Sequence, residues 1–290
     1  MDSHKLPQFT AGLKASTFET AQGITNYYDL GSSSNKSIVL VPGYLCSALM
    51  YKDFAEHLVS LAYRVIMYDP YGTGGSIKTS KDKYTLETMV EQLKSLITNL
   101  YLRDVIVVGY SMGGLIAATY AKENSSKVSK VILMMPAGYK VNQGPQTITM
   151  IMRTPIIGPK FMDYFYHSTI MDAIKVNFVH PEDPNFSEII QFLYMHIYTS
   201  WCLNPSFSEA ACGIFRFMNV EGHQKTLQSI TKPVTVILAK NDIAIPFQDN
   251  FDFWSKVPNV SVNVLDECGH WGIHEKRDEM FEIIDKSLAV

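Results

Sequence analysis

The sequence predicts an α/β fold, with a mostly parallel sheet flanked by helices and a helical insertion near the middle of the chain. Short apolar runs rich in β-branched residues alternate with segments whose apolar residues recur at helical spacing, as is typical of parallel sheets joined by crossover helices. This alternation stops over residues 137–221, where Met, Ile, Phe, Tyr and Trp accumulate with repeated prolines. We therefore expect residues 1–136 and 222–290 to form one core, with residues 137–221 (the insertion) as a helical cap.

The individual elements follow from local patterns. Residues 14–20 and 24–30 alternate around Gln22-Gly23, which predicts an antiparallel hairpin at a sheet edge. Apolar runs predict further strands at residues 38–41, 64–68, 105–108 and 130–135, and after the insertion at 233–238 and 261–265. Helical spacing predicts helices at residues 51–62, 86–100, 224–230 and 276–289. The insertion thus follows the sixth predicted strand.

Composition limits the classes of partner. The net charge is -3 and no basic run occurs, so nucleic-acid binding is not expected. Residues 1–14 lack the apolar core of a secretory signal, and no uninterrupted apolar run reaches the roughly 18 residues of a transmembrane helix. These observations predict a cytoplasmic protein.

The four cysteines are Cys46, Cys202, Cys212 and Cys268. They are scattered and have no C-x-x-C spacing, so neither a disulfide framework nor a zinc site is predicted. We expect no metal and no cofactor. Cys46 and Cys268 lie beside the candidate site residues, which makes them candidates for blockage by thiol reagents.

A glycine-flanked serine follows the apolar run at residues 105–108. Gly109-Tyr110-Ser111-Met112-Gly113 matches the G-x-S-x-G nucleophile elbow, in which a tight strand-to-helix turn exposes the serine hydroxyl. The alternative is an ordinary strand-to-helix loop with a serine N-cap. The elbow requires an acid and then a histidine further along the chain.

Both partners follow in that order. Asp242 comes after the strand at residues 233–238 and His270 after the last strand, so both are expected at the carboxyl edge of the sheet, where ligands bind in such folds. Ser111 would be the nucleophile, His270 the base and Asp242 the residue that orients it. Alternatively, Asp242 is a turn residue. Asp266 competes for the acid role, but it lies too near His270 in sequence to reach its Nδ1 easily.

An acyl-transfer site also needs N–H donors for the oxyanion. The backbone of Met112, directly after the serine, is one predicted donor, and that of Tyr44, after Pro42-Gly43, is the other. The alternative is that Pro42-Gly43 forms only a turn.

From about Ile24 to its end, the chain resembles the α/β-hydrolase superfamily, serine-hydrolase branch. The motif at residues 109–114 is similar to the elbow of monoacylglycerol lipases, carboxylesterases and carbon–carbon bond hydrolases, and the turn from Asp69 to Ser76 also resembles that of the superfamily. Asn241-Asp242 and Gly269-His270 match the acid and histidine motifs. Pro42-Gly43 departs from the usual His-Gly. The resemblance implies the α/β-hydrolase fold with a cap after the sixth strand.

The insertion suggests an apolar substrate. Its apolar positions include Ile148, Met150, Ile151, Met152, Ile156, Ile157, Phe161, Met162, Tyr164, Phe165, Tyr166, Phe192, Leu193, Tyr194, Met195, Ile197, Tyr198 and Trp201. These side chains line an acyl or aryl pocket over Ser111, with transient contact to lipid surfaces, or they pack the inner face of the cap. We predict cleavage of apolar carboxylic esters through an acyl-enzyme. Carbon–carbon bond hydrolysis, amide hydrolysis and a hydrolase-fold ligand receptor are the alternatives.

Overall fold

A nine-stranded sheet forms the centre of the described chain. The computed structural model describes residues 12–79 and 83–289, without the side chains of residues 166–169. The strands are β1 (Ser16–Thr20), β2 (Gly23–Leu30), β3 (Ser37–Val41), β4 (Arg64–Tyr68), β5 (Ile77–Lys78), β6 (Val105–Tyr110), β7 (Val128–Met134), β8 (Val234–Ala239) and β9 (Val260–Leu265). The prediction for the first residues of the chain, that they carry no secretory signal, concerns mainly residues outside this description.

The strand order is β1-β2-β4-β3-β6-β7-β8-β9, and β5 pairs with β2. Pairing is parallel from β4 through β3 to β9 and antiparallel at the β1–β2 hairpin and at the contacts of β2 with β4 and β5. The mostly parallel sheet and the edge hairpin are confirmed. Because β3 lies between β4 and β6, the chain order changes direction there, and ligands bind at such switch points in open α/β sheets.

Helices connect the strands. They are α1 (Lys52–Ser60), α2 (Leu86–Asn99), α3 (Met112–Glu123), α4 (Gln146–Arg153), α5 (Ile157–Lys175), α6 (Pro184–Leu203), α7 (Phe207–Phe217), α8 (Gln224–Gln228), α9 (Phe247–Trp254), α10 (Gly272–Glu275) and α11 (Arg277–Ala289). Helices α4 to α7 lie within the insertion. Strand β5 was not predicted, so the insertion follows the seventh observed strand, which is the sixth predicted one. None of the described helices is long and apolar enough to cross a lipid bilayer.

Two glycines let α3 approach the sheet. A Cβ on Gly113 would lie 2.1 Å from the Val41 carbonyl oxygen, and a Cβ on Gly109 would lie 2.4 Å from the Gly113 carbonyl oxygen. Real Cβ atoms do not approach backbone oxygens so closely. The small residues of the elbow are therefore required by packing as well as by the turn itself.

The turn at residues 69–76 is hydrogen-bonded to the insertion. The buried Asp69 carboxylate accepts backbone hydrogen bonds from Ala48 at 2.7 Å and Gly75 at 2.8 Å, which fix the turn. Asn204, directly after α6, donates from Nδ2 to the Ser76 carbonyl at 2.8 Å. Ser200 Oγ accepts from the Gly74 N–H at 3.1 Å. This glycine-rich turn therefore holds the insertion through hydrogen bonds to α6 and its C-terminal end.

Candidate active site

Ser111 occupies a strained turn between β6 and α3. Its φ and ψ are 53° and -121°, a region that a residue with a side chain rarely adopts. Backbone hydrogen bonds hold this conformation: the Ser111 N–H donates to Met134 at 2.9 Å, and its carbonyl accepts from Gly114 at 2.8 Å and Ala137 at 2.9 Å. The chain thus maintains the turn that the G-x-S-x-G motif predicts.

The structure brings the three predicted side chains into one hydrogen-bonded line. His270 Nε2 lies 2.9 Å from Ser111 Oγ, and His270 Nδ1 lies 2.7 Å from Asp242 Oδ2. Asp242 and His270 are 6% and 8% exposed, so bulk water competes little for these contacts. The residues come from loops after β6, β8 and β9, at the carboxyl edge of the sheet. This arrangement can deprotonate a serine hydroxyl.

Asp242 is held in place by its second carboxylate oxygen. Oδ1 accepts from the N–H groups of Ala244 and Ile245, both at 2.8 Å, which leaves Oδ2 for the imidazole. Asp266, the competing acid, forms an ion pair with Lys240 at 2.5 Å, and its side chain is 71% exposed. Of the two aspartates, only Asp242 is hydrogen-bonded to His270.

Two further groups fix the backbone of His270. The Tyr110 hydroxyl donates to the His270 carbonyl at 2.5 Å, and the His270 N–H donates to the Asn177 carbonyl at 2.9 Å. Burial raises the pKa of Tyr110 well above its usual value, which keeps this hydroxyl protonated as a donor. No sequence pattern indicated the Asn177 contact, because Asn177 lies in the insertion and is distant from His270 along the chain.

Both predicted oxyanion residues lie at the serine. Met112 is the first residue of α3, so its N–H belongs to the helix-terminal donors that have no partner within the helix. Tyr44 lines the same cavity as Ser111. Its ring packs edge-on against Phe215 at 5.3 Å, and its hydroxyl donates to the Ala211 carbonyl at 3.2 Å. These contacts join the loop after β3 to α7.

An apolar cavity of about 260 Å³ opens over Ser111 and His270. The insertion supplies Ile170, Ala173, Ile174, Asn177, Ile197, Ile214, Phe215, Met218 and Val220 to its lining. Tyr44, Leu45, Cys46 and Trp271 contribute from the core. None of the described residues that line it is Asp, Glu, Lys or Arg. The cavity therefore suits an uncharged, mostly apolar ligand.

The sequence selected the correct segment for this cavity but the wrong side chains. Among the described apolar positions that it singled out in the insertion, Ile197 alone lines the cavity. Met152, Met162 and Leu193 are buried elsewhere, whereas Met150, Ile156 and Tyr164 are exposed. The side chain of Tyr166 lies outside the described set. Most of the methionines and aromatics thus pack the insertion or face solvent.

Known proteins share this architecture. A family model described as "alpha/beta hydrolase fold" matches residues 36–170. A 2-hydroxy-6-oxononadienedioate/2-hydroxy-6-oxononatrienedioate hydrolase of Dechloromonas aromatica is 26% identical over 266 residues, covering 89% of this chain and 88% of that protein. Among solved structures, a bromoperoxidase from Bacillus anthracis matches with a TM-score of 0.78 at 22% identity, covering 96% of this chain and 100% of the other. An esterase from Exiguobacterium antarcticum matches with a TM-score of 0.77 at 20% identity and the same coverages.

Proposed function

Because this chain belongs to the α/β-hydrolase superfamily, we propose that it is a serine hydrolase that cleaves carboxylic esters with apolar acyl or aryl groups. One observation carries the proposal: Ser111, His270 and Asp242 form a continuous hydrogen-bonded line, with contacts of 2.9 Å and 2.7 Å, on the wall of an apolar cavity. A serine, a base and an orienting acid in this order form the machinery of acyl transfer.

In the proposed reaction, Ser111 Oγ attacks the ester carbonyl while its proton passes to His270 Nε2. Asp242 accepts the Nδ1–H hydrogen bond and stabilises the positive imidazolium that forms. His270 then returns the proton to the leaving alcohol. Water enters, gives a proton to His270 and attacks the acyl-enzyme, and the carboxylic acid leaves as Ser111 regains its hydrogen.

We assign the backbone N–H groups of Met112 and Tyr44 to the developing oxyanion. The position of Met112 at the N-terminus of α3 supports its assignment, because the helix dipole favours negative charge there. The support for Tyr44 is its place on the cavity wall beside Ser111. A Cβ added to Gly43 would lie 3.2 Å from the Ser111 Cβ, so the loop before Tyr44 packs directly against the elbow.

The charge of the lining favours ester cleavage over carbon–carbon bond cleavage of a dicarboxylate. The name of the Dechloromonas aromatica relative specifies a dienedioate, a molecule with two carboxylates. A buried carboxylate needs a charged or strongly donating partner. The described lining of this cavity carries no Lys or Arg, so a neutral ester is the better chemical match.

We also propose that the outer face of the insertion contacts anionic lipid surfaces. Met150 and Ile156 are 64% and 71% exposed, and Ile157 beside them is exposed as well. Arg153 lies between Met150 and Ile156 in the sequence, and Lys160 follows Ile157. Basic residues next to exposed apolar ones favour anionic membrane surfaces. Replacing Ile156 and Ile157 with Asp should then weaken co-sedimentation with anionic vesicles. Unchanged co-sedimentation would contradict this contact.

A substrate panel tests the enzymatic proposal. The purified chain should hydrolyse neutral p-nitrophenyl esters of increasing acyl length, and Ser111→Ala should abolish the activity. Half-esters of dicarboxylic acids, matched in length, should react at least about tenfold more slowly, because their free carboxylate enters an apolar cavity. Preferential turnover of a dienedioate, or ester hydrolysis that persists in Ser111→Ala, would contradict the proposal. Ligand-induced stabilisation without turnover would indicate a receptor instead.

A further inference from the structure

One buried carboxylate joins the insertion to the loop that carries His270. Glu275, at the end of α10, is 9% exposed. Its Oε1 accepts from the Val179 N–H in the insertion, and its Oε2 accepts from the Gly269 N–H, each at 2.7 Å. Gly269 immediately precedes His270. The two oxygens of this carboxylate therefore bind two segments that are distant from each other in the sequence.

Neighbouring contacts make this junction continuous. The His270 N–H donates to the Asn177 carbonyl at 2.9 Å, and the Trp271 Nε1–H donates to the Ile174 carbonyl at 3.2 Å. A Cβ added to Gly269 would lie 2.2 Å from the Asn177 carbonyl oxygen. Residues 174–179, which comprise the end of α5 and the loop after it, thus lie directly against the His270 loop (residues 266–271).

We propose that Glu275 is a positioning residue that fixes His270 by clamping residues 174–179 onto the His270 loop. This inference rests on the proposed function, because it takes His270 as the base for Ser111. Glu275 itself does not touch the substrate: it is absent from the cavity lining, whereas Asn177 and His270 are both part of it.

A carboxylate is specifically suited to this place. Two backbone N–H groups converge on the side chain, and both need an acceptor. A glutamine at position 275 offers one carbonyl oxygen and one amide NH₂, so one of the two N–H groups would face another donor. An alanine leaves both N–H groups without the acceptor that they have now. Glu275→Gln should therefore weaken the clamp, and Glu275→Ala should weaken it further.

The clamp also links the insertion to catalysis. If residues 174–179 moved away from the core, the His270 N–H would lose its acceptor and Glu275 would lose one of its two donors. The hydrogen bond from Asn204 to Ser76 in the glycine-rich turn is distant in sequence from residues 174–179 and would not be affected directly. Movement of the insertion at the end of α5 would thus remove contacts that hold His270.

Glu275→Gln and Glu275→Ala test the clamp, with Glu279→Gln as the matched control at an exposed position one turn later. For each protein, kcat and KM for a neutral p-nitrophenyl ester are measured and kcat is divided by the amount of serine that a fluorophosphonate labels. We expect kcat per labelled serine to fall about tenfold in Glu275→Gln and about a hundredfold in Glu275→Ala, the loss typical of about 1 Å of misplacement. KM should stay within about twofold, and Glu279→Gln should match the unaltered chain.

Amide hydrogen exchange gives a readout that needs no turnover. In Glu275→Gln at least one of the amides of Val179 and Gly269 should exchange faster, and in Glu275→Ala both should, while those of α3 keep their protection. An unchanged kcat per labelled serine in both variants, or unchanged protection of both amides, would overturn the clamp. Failure of the unaltered chain to hydrolyse esters or take up the label would instead refute the proposed function, and the exchange measurement would still test the clamp.

Discussion

Replacing Asp242 with Asn changes a charge but almost no volume, and the structure predicts how the new amide sits. The N–H groups of Ala244 and Ile245 converge on Oδ1 at 2.8 Å, so the amide oxygen will occupy that position. The NH₂ group then faces His270 Nδ1, where the carboxylate oxygen now lies 2.7 Å away. Because NH₂ is a donor, Nδ1 must act as an acceptor, and the imidazole proton moves to Nε2.

That tautomer cannot serve as the base. Nε2 lies 2.9 Å from Ser111 Oγ, and with a proton on it the nitrogen cannot accept the serine hydrogen. The corresponding substitution in serine proteases lowers kcat about 10⁴-fold, which amounts to about 5 kcal/mol of transition-state stabilisation. We expect a loss of the same order in Asp242→Asn, with little change in the overall fold.

Steady-state hydrolysis of a p-nitrophenyl ester measures this loss, and the rate of fluorophosphonate labelling should fall in parallel. Asp266→Asn is the matched control, because Asp266 is exposed and forms an ion pair only with Lys240 among the described residues. It should retain activity within about twofold. Activity in Asp242→Asn above a tenth of that of the unaltered chain, or an equal loss in Asp266→Asn, would refute this assignment of the acid.

Three further predictions follow from packing and burial. Gly113→Ala should lower the free energy of unfolding by about 1–3 kcal/mol, since its Cβ would lie 2.1 Å from a backbone oxygen; a melting temperature equal to that of the unaltered chain would contradict this. Burial raises the pKa of the Cys46 thiol to about 12, whereas Cys202 is exposed. A thiol reagent at pH 8 should therefore modify Cys202 rapidly and leave ester hydrolysis intact. Rapid inactivation of the Cys202→Ser variant by the same reagent would contradict this prediction. Burial lowers the pKa of His196 and His274 from 6.5 to about 4, and the nearby charge of Arg277 adds to the effect at His274. The unfolded chain therefore binds protons that the folded chain does not, and the free energy of unfolding should fall as the pH is lowered from about 6.5 to about 4. Denaturation across this range should show the slope, and an equal slope after both histidines are replaced by Asn would exclude them as its cause.

The sequence located Ser111, Asp242 and His270 because their signals are local. Each follows a short apolar run, and the carboxyl ends of parallel strands meet at one edge of the sheet. The structure places Ser111 and Asp242 each within hydrogen-bond distance of His270. These three residues could therefore be identified without knowing which distant segments of the chain are in contact.

The wall of the cavity could not be predicted in the same way. Apolar residues occur along the whole insertion, so composition did not reveal which side chains face Ser111. Ile174 and Met218 line the cavity, whereas Met150 is exposed. That difference depends on how α4 to α7 pack together. Glu275 was missed for a related reason, since its partner Val179 lies 96 residues away in the sequence.

Activity-based labelling measures whether Ser111 is the nucleophile. The intact chain is incubated with a fluorophosphonate, digested and mapped by mass spectrometry, and residual ester hydrolysis is measured in the same samples. We expect one label per molecule, on Ser111, with activity lost in proportion to labelling and no label on Ser111→Ala. A label on another residue, or full ester hydrolysis in a fully labelled sample, would contradict it.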